Sequence, residues 1–148
     1  MSFNPDDTFN QFDARYLLRE AWRDWTPTVT QSGSVTVTVT YARYIVLART
    51  VITQAQLSIT GSGTGNNAIV IGGVPSVIQP ANNSGNTAVI GSALVFESGV
   101  GFWGGALVAF GASDWRITHG GNTSWVGITP NFGLSASDTI GFMATYER

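Results

Sequence analysis

The stretch "DWRITHGGNTS" (114–124) holds the residue types of a hydrolase triad: Asp114, His119 (the sole histidine of the chain) and Ser124. A serine nucleophile must sit on a strained turn, with its base within hydrogen-bond reach. Ser124 instead follows a Gly-Asn loop with no G-x-S-x-G elbow. His119 therefore reads as a loop histidine with an ordinary hydrogen bond. "GVGFWG" (99–104) matches G-x-G-x-x-G by letter, but that fingerprint has to follow a strand and open a helix. Here the strand-like "GALVAF" follows, so the match is accidental.

Glycoside hydrolysis requires a carboxylate pair across a cleft. Beyond residue 25 the chain offers only Glu97, Asp114, Asp138 and Glu147. With one histidine, no cysteine and isolated acids, there is no zinc pattern and no calcium loop. The expectation is a protein with no catalytic residues, no metal and no cofactor. Two tryptophans remain, Trp115 and Trp125, on either side of the Gly-Asn loop. They read either as core packing or as a stacking platform for a host-surface glycan. Asn82-Asn83-Ser84 and Asn122-Thr123-Ser124 spell glycosylation sequons but read as turn formers.

Charge is distributed unevenly. Of sixteen charged side chains (seven Arg, no Lys, nine Asp or Glu), eight fall in the first 25 residues. The whole chain is 11% charged, against about 25% in a typical domain. So few basic groups argue against nucleic acid, which is bound through clustered Lys and Arg. The opening "MSFNPDDTFNQFD" lacks the basic and apolar regions of a secretory signal. No apolar run approaches a membrane span. A soluble protein made without a signal is expected, its polar surface supplied by Thr, Ser, Asn and Gly.

The elements follow from periodicity. Ala14, Leu17, Leu18, Ala21, Trp22 and Trp25 recur at spacings of three and four, which predicts a short N-terminal helix over 12–25 that Pro27 stops. Arg15, Arg19 and Arg23 form a stripe beside it. A helix this short is marginal alone. The stripe Leu18, Trp22 and Trp25, with the arginines, is therefore expected to dock on a partner. From Thr28 the period becomes two. "SVTVTVT" (34–40) places Val35, Val37 and Val39 on one face. "YARYIVLARTVITQ" (41–54) and "AQLSIT" (55–60) continue as strand. After the turn-like "GSGTGNN" come "AIVIGGVPSVI" (68–78), "TAVIGSALVFE" (87–97), "FWGGALVAFG" (102–111), "DWRIT" (114–118), "SWVGIT" (124–129) and "DTIGFMATYE" (138–147). Eight or nine short strands make an all-β antiparallel sandwich of jelly-roll type, with residues 1–25 as a docking segment and 26–148 as the displayed body.

One strand is apolar on both faces. Phe102, Ala106, Val108 and Phe110 point one way, and Trp103, Leu107 and Ala109 the other. A sandwich strand normally shows one face to water, so the second face needs a cover. That cover is either a loop or the N-terminal helix folded over it, or a subunit interface using Phe102, Trp103, Leu107 and Phe110.

A resemblance adds to this reading. "WTPT" at Trp25–Thr28, the tyrosine strand Tyr44–Val51, "IVIGGVP" at Ile69–Pro75 and "DTIGFMATY" at Asp138–Tyr146 occur in that order. In this the chain resembles the C-terminal β-domain of minor tail and tail-fibre proteins of long-tailed bacteriophages. The resemblance implies a jelly roll displayed on the virion as a homotrimer, attached to other virion proteins of the tail, and it assigns no catalytic residue. Family members carry this domain after long collagen-like or coiled segments, whereas here 25 residues precede it. A capsid decoration trimer therefore stays open as an alternative, as does a free carbohydrate-binding module.

Overall fold

The computed structural model describes residues 21–81, 88–120 and 124–148. They form β1 (Arg23–Asp24), β2 (Thr28–Thr30), β3 (Ser34–Val35), β4 (Val37–Leu47), β5 (Thr50–Ile59), β6 (Val70–Gly72), β7 (Ala88–Glu97), β8 (Gly101–Ala109), β9 (Trp115–Ile117) and β10 (Thr139–Glu147). A single 3-10 turn at Ser76–Ile78 is the helical structure among the described residues. The all-β expectation holds. The strands make one antiparallel sheet in the order β1-β4-β5-β10-β7-β8-β9-β6-β2-β3.

That sheet curls back on itself. β1 and β2 lie on one segment, interrupted at Thr26-Pro27, where proline has no N–H to give a ladder. β3 and β4 lie on the next, interrupted at Thr36. The two segments pair with each other: Arg23 opposite Tyr44, the Trp25 N–H donating to Ala42 O at 3.0 Å, and Val29 opposite Val35. The first and last strands of the order therefore sit on neighbouring segments, and the hydrogen-bonded circuit returns to its start. Curling of this kind leaves few open edges, which all-β chains must otherwise protect.

Inward-facing residues fill the enclosed space. Trp115 is fully buried at its centre, edge-on to Trp25 (5.8 Å between ring centroids), Phe142 (5.8 Å) and Tyr146 (5.9 Å). Leu57, Ile59, Ile71, Leu107, Ile117 and Ile140 pack around this group. Two buried polar side chains tie loops to the barrel of strands. Gln31 donates to Asn67 O (3.1 Å) and Phe132 O (2.8 Å) and accepts from the Leu134 N–H (2.8 Å). Asp138 accepts from the N–H groups of Ser98 and Ser135, both at 2.8 Å, which joins the β7–β8 turn to the start of β10.

Three expectations are corrected. Residues 41–54 are not one strand: Leu47 pairs with Thr50 across a two-residue turn in which Ala48 takes a positive φ of 55°. Such a turn is normally announced by Gly or Asn, and this one carries neither. Residues 124–129 form turns and isolated bridges, Thr118 with Trp125 and Gly127 with Asn131, instead of a strand. The helix expected over 12–25 does not reach its stated end, because Arg23 and Asp24 are β1, held in extended form by the ladder to β4. Residues 12–20 lie outside the described residues.

The Tyr146 hydroxyl donates to Ile78 O, and burial pushes its phenol well above the ordinary tyrosine range. A raised value means the folded state favours the neutral form. The associated stability is complete below about pH 10 and is lost as pH rises above it. Chemical denaturation as a function of pH should show this alkaline loss. Tyr146→Phe should flatten that limb while costing about 1 kcal/mol at neutral pH, since Ile78 O loses its donor.

Candidate interaction surface

The register of five neighbouring strands sets a face on the outside of the curl. Three cross-strand rows run over β4, β5, β10, β7 and β8: Thr38, Ser58, Thr139, Phe96 and Phe102; then Tyr41, Gln56, Gly141, Leu94 and Gly104; then Arg43, Gln54, Met143, Ser92 and Ala106. Gly141 lies at the middle of the central row and has no side chain. The rows around it stand higher, and the result is a groove of about 370 Å³ bordered by Tyr41, Gln56, Leu94, Phe102 and Met143.

Two features aim these side chains. The β4–β5 register shifts between Val39 and Tyr41. Without that bulge Tyr41 would follow Val37 and Val39 inward, because strand side chains alternate strictly. With it, Ala42 and Tyr44 face the core and Tyr41 stands outside. At the other margin Leu94 lies over Gly104: a Cβ added there would meet Leu94 Cδ1 at 3.3 Å. Phe96 and Phe102 stack with centroids 4.9 Å apart, in tilted contact.

The rim beside β4 carries the face's one cation. The Arg43 guanidinium sits 4.9 Å from the Trp22 ring centroid and 5.9 Å from that of Tyr41. With its amide oxygen turned toward it, Gln54 accepts from Arg43 Nε and Nη2, each at 2.6 Å. The charge is thus held by aromatic faces and an amide. No carboxylate borders the groove.

The residues singled out from the sequence are scattered by this arrangement. Arg15, Leu18 and Arg19 lie outside the described residues. Trp22 is exposed at the rim of the face and Arg23 is exposed on β1. Trp25 belongs to the core of the described chain, so it is not available to a partner.

On β8 the alternation holds, with a consequence for the expected interface. Phe102 is 65% exposed on the outer face, whereas Leu107 is fully buried inside and Trp103 packs inward. Trp103 donates to Glu97 at 2.8 Å and lies against His119 and Phe132. Phe110, at the far end, is covered by the chain's own Arg116, whose guanidinium carbon is 3.5 Å from the ring centroid, and by Trp125 edge-on at 5.6 Å. The second apolar face of β8 is thus covered from within at one end and bare at the other.

Trp115, named as a glycan platform, is fully buried and cannot stack on a sugar; the curl of the sheet places it inside. Trp125 is half-buried on Phe110 and Arg116. The triad letters do not assemble into a relay: His119 turns its ring to Trp103, and Asp114 accepts from the Ser113 hydroxyl at 3.4 Å. Among the described residues no group of three His, Asp or Glu gathers to hold a metal, and no helix is long and apolar enough to cross a membrane. The groove itself escaped the sequence reading, since "DTIGFMATYE" shows a glycine in a strand without showing what flanks it. A glycine inside a strand pattern was the available signal.

The two tryptophans near the start of the described chain should separate cleanly. Trp25→Ala should cost about 3–5 kcal/mol in urea unfolding, as a large core truncation does. Trp22→Ala should cost about 1 kcal/mol or less, the worth of an exposed cation–π contact. Equal losses would contradict the placement of Trp25 in the core.

Compared with known proteins, the chain matches no family model, no curated protein and no solved structure.

Proposed function

We propose that this chain is a non-enzymatic structural protein of a bacteriophage virion, a minor tail, tail-tip or fibre-like component that works as a homotrimer. The observation that carries this reading is the outer face of β4, β5, β10, β7 and β8. A groove whose lining holds no carboxylate, flanked by exposed Phe102, Met143, Leu94 and Tyr41, is a surface suited to attachment to other protein.

The strand order supports a jelly-roll reading. When β1 with β2, and β3 with β4, are taken as one interrupted segment each, ten strands reduce to eight. β10 then lies between β5 and β7, and β6 lies between β9 and the first segment. Two interlocked Greek keys have such crossings. The resemblance to the displayed β-domains of tail and fibre proteins rests on the Trp25–Thr28, Tyr44–Val51, Ile69–Pro75 and Asp138–Tyr146 elements. In the structure these become the entry to β2, the β4–β5 hairpin, the β6 region and β10.

Antibodies raised against the chain should label purified particles of the phage that encodes it, at the tail. Labelling of the head instead would identify a decoration protein, and particles without label would overturn the virion assignment. The isolated chain should sediment at three times its 15.7 kDa mass. A species of 15.7 kDa at micromolar concentration would contradict the trimer.

A further inference from the structure

At the tip of the β4–β5 hairpin the turn residues are Ala48 and Arg49, and Ala48 holds a positive φ of 55°. Glycine or asparagine would take that conformation at less cost. Strain of this kind gathers where a side chain has to be aimed. What this turn aims is Arg49. Beside it lies an open cavity of about 400 Å³ lined by Ala48, Arg49, Ser76, Val77, Gln79 and Arg148. Three distant parts of the chain meet there: the hairpin turn, the segment that follows β6 and the residue that follows β10.

The lining holds two guanidiniums and no carboxylate side chain. Arg148 is fixed across it, Nη1 donating to Val77 O at 3.1 Å and Nη2 to Ala48 O at 3.4 Å. Its main-chain N–H donates to Arg49 O at 2.9 Å, which draws the two arginines together. Arg49 Nε meets Glu147 Oε1 at 2.9 Å, and among the described residues this is the one carboxylate side chain paired with either guanidinium. These bonds leave further N–H groups on both. Two cations held at one cavity repel, and a single exposed carboxylate offsets little of that. The Ser76 hydroxyl and the Gln79 amide add neutral donors. Two planar forks, a hydroxyl and an amide supply more donors than the two oxygens of a carboxylate can accept. They suit the tetrahedral oxygens of a phosphate.

We propose that this cavity binds the phosphate group of an anionic ligand, with Arg49 and Arg148 as its charged donors. The site lies at the ends of β4, β5 and β10, apart from the groove at Gly141, and does not depend on the virion reading. The ligand competes with Glu147 for Arg49, so affinity is modest, about 1 mM, and salt screens it.

Titration of the full chain with inorganic phosphate at low salt, followed by phosphorus NMR, tests this, with glycerol 3-phosphate as a second probe. The wild type should give a saturable response. Arg49→Gln and Arg148→Gln should each weaken binding about tenfold. Glu147→Gln should strengthen it about threefold, since it frees Arg49 from its partner. Arg23→Gln, which removes an equal charge from exposed β1, should bind as the wild type does.

Tighter binding of the ester than of the free ion would support a phosphate carried on a larger ligand, and equal binding would support the free ion as occupant. A wild type without saturation overturns the site. So does equal weakening in Arg23→Gln, which would reduce the effect to net charge. Arg148→Gln also loses its bonds to Val77 and Ala48. If its circular dichroism changes, the opposite effects expected of Arg49→Gln and Glu147→Gln decide the matter, and effects of the same sign overturn the proposal.

Discussion

A sheet that curls until its pairing meets itself has one interior, and the indole of Trp115 fills the middle of it. Trp25, Phe142 and Tyr146 all meet that ring edge-on, the geometry that the aromatic quadrupole favours. With Trp115 itself, the four rings come from three separate parts of the chain: the segment entering β2, β9 and β10. Their contact therefore couples the two walls of the curl. Tight packing at this point leaves no room for slippage, because a one-residue shift in any of these strands would turn an aromatic ring out to water. The closing pair of segments, the central position of β10 and the burial of Trp25 all depend on this filling.

The outside of the molecule follows from the inside. Each strand that sends an isoleucine, leucine or aromatic inward must send its alternate residues outward. On β9 and β2 those alternates are arginine and threonine. On β10, β7 and β8 they are Met143, Leu94, Phe96 and Phe102. The two sides of the molecule thus present different chemistry although both belong to one sheet. The bulge after Val39 sharpens the asymmetry by moving Tyr41 from the core register to the outer face. A defect in a ladder that costs some pairing thus sets the composition of a surface.

The polar staples hold the loops that the strands leave behind. Gln31 is almost completely buried, and its amide spans three chain segments far apart in sequence. Asp138 does similar work at the other end, against backbone N–H groups of two loops. Buried polar groups with their partners in place specify an arrangement strongly, since losing one partner leaves the other unsatisfied. In a chain with so little charge, these amide and carboxylate contacts take the part that ion pairs play elsewhere. The Arg49–Glu147 pair is exposed and contributes little.

Much of this protein was legible in local periodicity. Alternation over 34–40 and 102–111, and the apolar β-rich runs at 87–97 and 138–147, placed the long strands and the two faces of β8, because which side chain points where depends on a residue's immediate neighbours. Sparse charge and the lack of clustered histidine, cysteine or acid were equally plain. What the chain could not disclose locally was parity across a bulge, the turn at Ala48 and Arg49 with no glycine or asparagine to mark it, and the strand at Arg23–Asp24 inside a helical spacing. There the pairing partner β4 overrode the local pattern. The glycan platform at Trp115 failed for the same reason: burial of a tryptophan is decided by which residues from distant strands surround it. The groove at Gly141 exists only when β5, β10 and β7 lie side by side, and that neighbourhood belongs to the tertiary structure alone.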